Sequence, residues 1–379
     1  MQDLSNFKAG VFAKTSGYKY FIPEKINMQY KWSDIELTQL CDKATLKLGE
    51  LNAFASLVSD IDHFIQMHVA KEATVSSKIE GTQTNIEETL QREEFISPEK
   101  RNDWREVNNY IKALNEAING LKKLPLSSRL LKKAHKTLLK NVRGEHKMPG
   151  EFRRSQNWIG GASLKDAVFV PPTADLVGQA IGDVENLMHN DECGLPHVMR
   201  IALAHYQFET IHPFLDGNGR IGRLMISLYF VSHEVLSKPV LYLSDFFEKN
   251  KTLYYDNLMR VRTHNNLVQW LKFVLVGIIE TAQKAIDGLK KIIAIKKKIE
   301  EQKIVKLGKK ITVAKTLSDY LFLQPIVLID NVVKVTGLSK VSAYKLIEDF
   351  EKLGILVETT GMLRYRMFQF KEYFDIFKN

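Results

Sequence analysis

Cysteine is nearly absent from this chain of 379 residues, with only Cys41 and Cys193 present and far apart. Two distant thiols supply neither a disulfide framework nor a four-ligand zinc site, and a reducing compartment is their simpler setting. Long apolar runs are missing too: the stretch 273–279 is too short to cross a bilayer. The opening residues Met1-Gln2-Asp3-Leu4-Ser5-Asn6-Phe7-Lys8 lack a basic segment followed by an apolar one, which speaks against a secretory signal. A cytoplasmic protein with no membrane partner is expected. Repeats and low-complexity tracts are also lacking. With 45% hydrophobic residues, the chain is too apolar for disorder and long enough for two or three packed domains.

The net charge of +10 raises the question of nucleic acid, but its distribution matters more than its total. Between Thr281 and Lys310, ten lysines face only Asp287, Glu300 and Glu301. Leu289, Ile292, Ile293, Ile295 and Ile299 recur there at near-helical spacing, which predicts an amphipathic linker helix with a solvated lysine face. No aromatic residue is interleaved to stack bases, so a nucleic-acid patch is the weaker reading.

Helical periodicity dominates from Trp32 onward and predicts a helical first half. Between Pro149 and Pro172, glycines and paired prolines bracket Asn157-Trp158-Ile159 and Ala167-Val168-Phe169-Val170, the pattern of a short β-hairpin. After Lys310, the order is an apolar run 329–335, the turn Thr336-Gly337-Leu338-Ser339, and a helix 341–353. Strand-like runs 355–358 and 363–370 about Gly361 close the chain. This order resembles a winged helix-turn-helix, open as a reader of DNA or as an interaction or dimerisation module. The expected fold is mainly α. A helical domain spans 1–105, a catalytic core 106–280, the basic linker helix 281–310, and a winged-helix domain 311–379.

The segment most loaded with chemistry is His212-Pro213-Phe214-Leu215-Asp216-Gly217-Asn218-Gly219-Arg220-Ile221-Gly222-Arg223. Gly217 and Gly219 let the backbone approach an anion closely, while unpaired amides and the dipole of the helix that follows favour negative charge at that end. Arg220 and Arg223, three residues apart, grip phosphate oxygens with planar forks. Asp216 is a hard oxygen ligand suited to Mg²⁺, and His212 can accept a proton from a hydroxyl. A magnesium–polyphosphate site beside a base is expected.

Residue by residue, this segment resembles the HPFx(D/E)GNGRxxR signature of Fic-domain proteins, and the region 157–172 resembles the Fic flap. The resemblance implies a protein adenylyltransferase that uses ATP and Mg²⁺ on Ser, Thr or Tyr hydroxyls of a target protein. His212 would be the general base, Asp216 the metal ligand, and Gly217, Asn218 and Gly219 the phosphate anion hole. Arg220 and Arg223 would hold the β- and γ-phosphates, and Ile159, Gly160, Gly161, Phe169 and Val170 would dock the target. Glycine at 219 follows the nucleotidylating pattern; relatives that transfer phosphate carry lysine there.

Upstream, Ser76-Ser77-Lys78-Ile79-Glu80-Gly81 fits the family's inhibitory motif (S/T)xxxE(G/N). Ser76 and Glu80 share a helical face, and Gly81 suits the helix end. The resemblance implies that Glu80 pairs with Arg223 and shuts the site, with self-modification and removal of AMP as further activities. A DNA-binding regulator with a nucleotide-sensing core and a Fic-type kinase are the alternatives, and a homodimer stays open.

Overall fold

The computed structural model describes residues 1–15, 17–57, 61–362 and 364–378. Among the described residues of the first 31, where a helical domain is expected, helix is confined to the 3-10 turn Leu4–Asn6. β1 (Gln2–Asp3), β2 (Gly10–Lys14), β3 (Lys19–Pro23) and β4 (Tyr30–Lys31) form two small sheets. β1 pairs in parallel with β4, and β2 pairs antiparallel with β3 in the register Gly10↔Pro23 to Lys14↔Lys19. Strands of two to five residues carry too few alternations to register as a period.

Helices follow: α1 (Ile35–Leu57), α2 (Ile61–Ile79), α3 (Ile86–Thr89), α4 (Arg101–Leu121), α5 (Ser128–Leu138), α6 (Ala174–Met188), α7 (His197–Ile211), α8 (Asn218–Ser232), α9 (Ser244–Lys249), α10 (Lys251–His264) and α11 (Leu267–Lys298). α1 buries Leu37, Cys41, Ala44, Leu48, Leu51 and Ala55, one stripe at three- and four-residue steps that packs against α11. Every residue of α7 after His197 is buried, so this helix is the axis of the core and the site is built at its C-terminal end. No helix among the described residues is long and apolar enough to cross a membrane.

The lysine-rich region differs from expectation in one respect. α11 starts at an Asn266 cap and runs unbroken for 32 residues, about 48 Å, straight through the boundary expected at 280/281. Its second half buries Ala282, Ala285, Ile286, Leu289, Ile292 and Ile295, so it is part of the packed body and not a free linker. The boundary expected at 105/106 likewise falls inside α4. A π-helical turn (Ile299–Lys303) and a 3-10 segment (Ile304–Lys310), kinked at Gly308, lead out of α11.

Beyond lie α12 (Ile311–Leu323), β5 (Ile326–Leu328), α13 (Ile329–Thr336), α14 (Lys340–Lys352), β6 (Val357–Glu358), β7 (Met367–Gln369) and α15 (Lys371–Lys378). The three strands form one antiparallel sheet in the order β5-β7-β6. The strand-like runs read from the sequence shrink to β6 and β7, and Leu363, the first residue of the second run, lies outside the described residues. α15 folds back on α2, with Phe377 against Phe64 and the His68 ring at centroid distances of 6.1 and 5.1 Å.

Candidate active site

α7 ends where His212 adopts a left-handed conformation (φ 51°, ψ 61°), which turns the chain out of the helix. Such a backbone is unfavourable for a residue with a Cβ and persists only when its surroundings fix it. Arg153 supplies much of that constraint. Its guanidinium donates to the carbonyls of His212 (2.9 Å), Ile211 (3.2 Å) and Pro172 (2.5 Å), and its N–H donates to Pro213 (2.9 Å). Asn157 donates to the His212 and Phe214 carbonyls (3.1 and 2.9 Å). Phe214 is buried and stacks on His135 at 3.8 Å.

The side chain of Asn218 braces the loop. Its Oδ1 accepts from the Phe214 N–H and its Nδ2 donates to the Phe214 carbonyl, both at 2.8 Å. Gly217 (φ +75°) caps α8, and its own N–H donates to Asp216 Oδ1 at 2.5 Å. The backbone N–H groups of Asn218, Gly219 and Arg220 open the first turn of α8, where a helix has no internal acceptors for them. The 15-residue α8 thus presents its positive end beside His212.

Both arginines carry counter-charges. Arg220 meets Glu106 Oε2 at 3.1 Å and Asp216 Oδ1 at 3.4 Å, while Arg143 holds the other oxygen of Glu106 at 2.6 Å. Arg223 is 1% exposed and held from two sides: Nε donates to Ser76 Oγ (2.8 Å), and Nη2 donates to the Ser76 carbonyl (2.9 Å) and to Glu80 Oε1 (2.7 Å). Burial alone would raise the Glu80 carboxyl, but Arg223 by charge and hydrogen bond, then Arg220 and His212, hold it below its ordinary value. A Cβ at Gly219 would run into Glu80 Oε1 and approach Arg223 Nη1 to 3.0 Å. Glycine at this position therefore lets the acid lie against the start of α8.

The His212 ring is 20% exposed, and its Nδ1 lies 4.0 Å from Glu209 Oε2. Among the described residues, neither His212 Nδ1 nor Glu209 Oε1 has a hydrogen-bond partner. Burial, then Arg262, pushes His212 down to about 4, so the imidazole is neutral at physiological pH. Burial raises Glu209 to about 7.

The flap is smaller than a regular hairpin. A single bridge joins Ile159 to Phe169, with bonds of 2.8 and 3.1 Å, and Gly160 and Gly161 turn the chain at φ +67° and +74°. β3 supports it through Phe21 N–H to the Val170 carbonyl (2.9 Å) and through contact of the Phe21 and Phe169 rings. Phe169 and Val170 are buried, whereas Trp158 and Val168 are exposed.

No group of three or more His, Cys, Asp or Glu among the described residues is arranged to hold a metal. Asp216 is a lone, partly exposed carboxylate beside the α8 N-terminus. That fits Mg²⁺, which takes one or two protein carboxylates and completes its shell with phosphate and water.

Sequence reasoning located the loop, the Ser76–Glu80 face and the flap. It missed Glu106, Arg143, Arg153, Glu209 and Arg262, and also Glu72, buried one turn before Ser76 and bonded to Tyr110 (3.0 Å) and Ser244 (2.6 Å).

Buried neutral histidines predict an acid-sensitive fold. His205 and His68 are held at about 3 and His135 at about 4, mainly by burial. Between the unfolded value of 6.5 and these depressed values, the unfolded chain takes up protons that the native chain does not, so stability falls as pH drops. Glu209 and Glu72, both raised by burial, work in the opposite sense but are two groups against several. Urea unfolding should give a stability lower by on the order of a few kcal/mol at pH 4.5 than at pH 7. Equal values would contradict this account.

Residues 38–119 match the profile described as "Fic/DOC family N-terminal", and residues 125–230 match "Fic/DOC family". The chain is 31% identical over 126 residues to the protein adenylyltransferase Fic of Aedes aegypti, which covers 33% of this chain and 22% of that one. With the Drosophila grimshawi protein of the same name it is 38% identical over 79 residues, 21% and 15% of the two chains. The matches thus span about a fifth of those relatives. A Fic family protein from Desulfovibrio desulfuricans aligns over 91% of this chain and 98% of its own, with a TM-score of 0.57 at 16% identity. A Fic domain containing signaling protein from Bacteroides thetaiotaomicron aligns over 67% and 97%, with a TM-score of 0.52 at 19% identity. The chain thus carries a Fic/DOC N-terminal region at 38–119 and a Fic/DOC domain at 125–230 that contains the His212 loop, and it shares the fold of these solved Fic proteins.

Proposed function

We propose that this chain transfers AMP from ATP to a Ser, Thr or Tyr hydroxyl of a target protein, and that the arrangement described is its resting, inhibited state. The carrying observation is one constellation: a neutral His212 beside the N-terminus of α8, with Arg223 on the same helix gripped by Glu80. The name shared by the curated relatives supports the reaction.

In the reaction, His212 takes the proton of the incoming hydroxyl, and the freed oxygen attacks the α-phosphorus. The bond to the pyrophosphate oxygen breaks, and pyrophosphate departs with that electron pair. The first-turn amides of α8 hold the α- and β-phosphates, Arg220 supports the β-phosphate, and Arg223 receives the γ-phosphate once Glu80 withdraws. Asp216 would hold Mg²⁺, which neutralises phosphate charge when bound. The flap edge at Ile159, Gly160 and Gly161 aligns an extended target segment by backbone pairing. Residues 311–379 are assigned as a winged-helix module. The buried thiols Cys41 and Cys193 suit a cytoplasmic setting.

Parallel reactions with ATP labelled on the α- or the γ-phosphate test the assignment. Protein-bound label is expected from the α-phosphate alone. Label from the γ-phosphate alone would make the protein a kinase.

A further inference from the structure

Positive charge is concentrated in a second place besides α11. Residues 122–154 carry eleven lysines and arginines against only Glu145 and Glu151. In α11, Lys284 and Lys298 meet Asp245 and Glu372. On α5 the balance is different.

α5 buries Leu130, Leu131, Ala134, His135 and Leu138 and turns Arg129, Lys133 and Lys136 to solvent, with Lys132 half-buried. These four cations, at three- and four-residue steps, line an open groove of about 470 Å³ between α5 and the segment 149–152. Among the described residues of the lining, Glu151 is the only acid, and it reaches Lys132 at 3.4 Å. Arg129, Lys133 and Lys136 have no ion pair among the described residues. Glu185, at the start of α5, is taken by the Ser128 N–H and hydroxyl (2.9 and 2.5 Å).

Such an arrangement works against the helix that carries it. Like charges three and four residues apart repel, and cations near a helix N-terminus oppose its dipole. Stability alone favours acids in the first turn, and α5 has none there. An anionic partner in the groove turns each of these repulsions into attraction.

The groove lies against the catalytic loop. Its Phe152 ring contacts the Phe214 ring at 5.4 Å, and its Gly150 N–H donates to His135, whose other ring nitrogen bonds the Asp216 carbonyl (2.8 and 2.9 Å). From Phe152 the chain reaches the flap edge at Ile159, a span of at most about 25 Å. The lining offers no open ring for a base to stack on, because the Lys132 ammonium covers Phe152 at 4.3 Å from the ring centre. A chain of carboxylates needs only the charge.

We propose that this groove is a docking surface for an acidic segment of the target protein, lying within about ten residues of the modified hydroxyl; that occupant rests on the transfer reaction proposed above. The carboxylates lie along Arg129, Lys132, Lys133 and Lys136 while the hydroxyl-bearing segment pairs with the flap. The surface selects and steers targets and touches neither ATP nor Arg223.

Fluorescence anisotropy of fluorescein-labelled octaglutamate with the full chain tests the surface without ATP. In about 50 mM salt, wild type should bind with a Kd below about 100 µM. The double variant Lys133→Glu, Lys136→Glu should weaken that binding at least about tenfold. Both positions are exposed, and an unchanged melting curve confirms that the variant folds. The pair Lys297→Glu, Lys309→Glu makes the same change in net charge at exposed positions elsewhere, and should leave binding within about twofold of wild type. Failure of wild type to bind overturns the proposal, as does equal weakening by the two double variants. Tighter binding of a DNA duplex of about 20 base pairs, lost in Lys133→Glu, Lys136→Glu, overturns the acidic-protein occupant. Octaglutamate binding in a protein that transfers no α-phosphate label leaves the surface standing and overturns the transfer reaction instead.

Discussion

Glu80→Gly should raise AMP transfer at least roughly tenfold over wild type, read as α-phosphate label incorporated into protein. The expectation follows from an asymmetry in burial. Arg223 is 1% exposed, while the Glu80 side chain is 34% exposed, so the acid stands at the rim and the base is sealed beneath it. Removing the acid leaves a buried guanidinium with only Ser76 to satisfy it, an arrangement that strongly favours a new anion. The γ-phosphate of ATP is that anion. Glycine also clears the space over Gly219 that the Glu80 carboxylate fills. Acid is a poor substitute for the mutation, because Arg223 holds Glu80 below its ordinary value. The pair therefore contributes stability above the unfolded carboxyl value and loses it only as pH falls through the lower, folded one. Equal rates in wild type and variant would remove the brake from this account while leaving the transfer reaction standing.

The loop 212–223 and the Ser76–Glu80 face were legible because each is contiguous and each residue type has its own chemical reason to be there. Their supports were not. Arg153 pins the His212 carbonyl from 59 residues away, and Arg220 reaches Glu106 across 114. A lone arginine or glutamate at such a distance leaves no local pattern, since tertiary packing alone makes it a partner. The flap shows another limit: turn glycines mark where the chain reverses but not how many residues pair, and here only Ile159 and Phe169 do. Lysine composition misplaced the boundary at 280/281. The Asn266 cap, whose side chain accepts from the Gln269 N–H, is the local signal that starts the helix earlier, at Leu267. Of the five apolar positions expected on the buried face within 281–299, Leu289, Ile292, Ile295 and Ile299 are buried, while Ile293 is 43% exposed on the lysine side.

His212→Ala, made in the Glu80→Gly background, should lower transfer by about 10²- to 10⁴-fold, the range for loss of a positioned general base. ATP affinity should change little, because the phosphates rest on α8 and on Arg220 and Arg223. The fold should survive: alanine meets the same left-handed backbone that histidine already occupies, and the clamps from Arg153 and Asn157 act on the carbonyl, not on the imidazole. The pH profile separates this base from its neighbour. With His212 held at about 4, the imidazole stays unprotonated throughout the neutral range, so the rate in Glu80→Gly should decline only as pH falls toward that value. If Glu209 were the base, the rate would instead rise through about pH 7, where its carboxyl ionises. A flat neutral profile together with loss in His212→Ala assigns the proton to His212. Full activity in His212→Ala would move the base to another residue, and Glu209, 4.0 Å from the imidazole, would be the first to test.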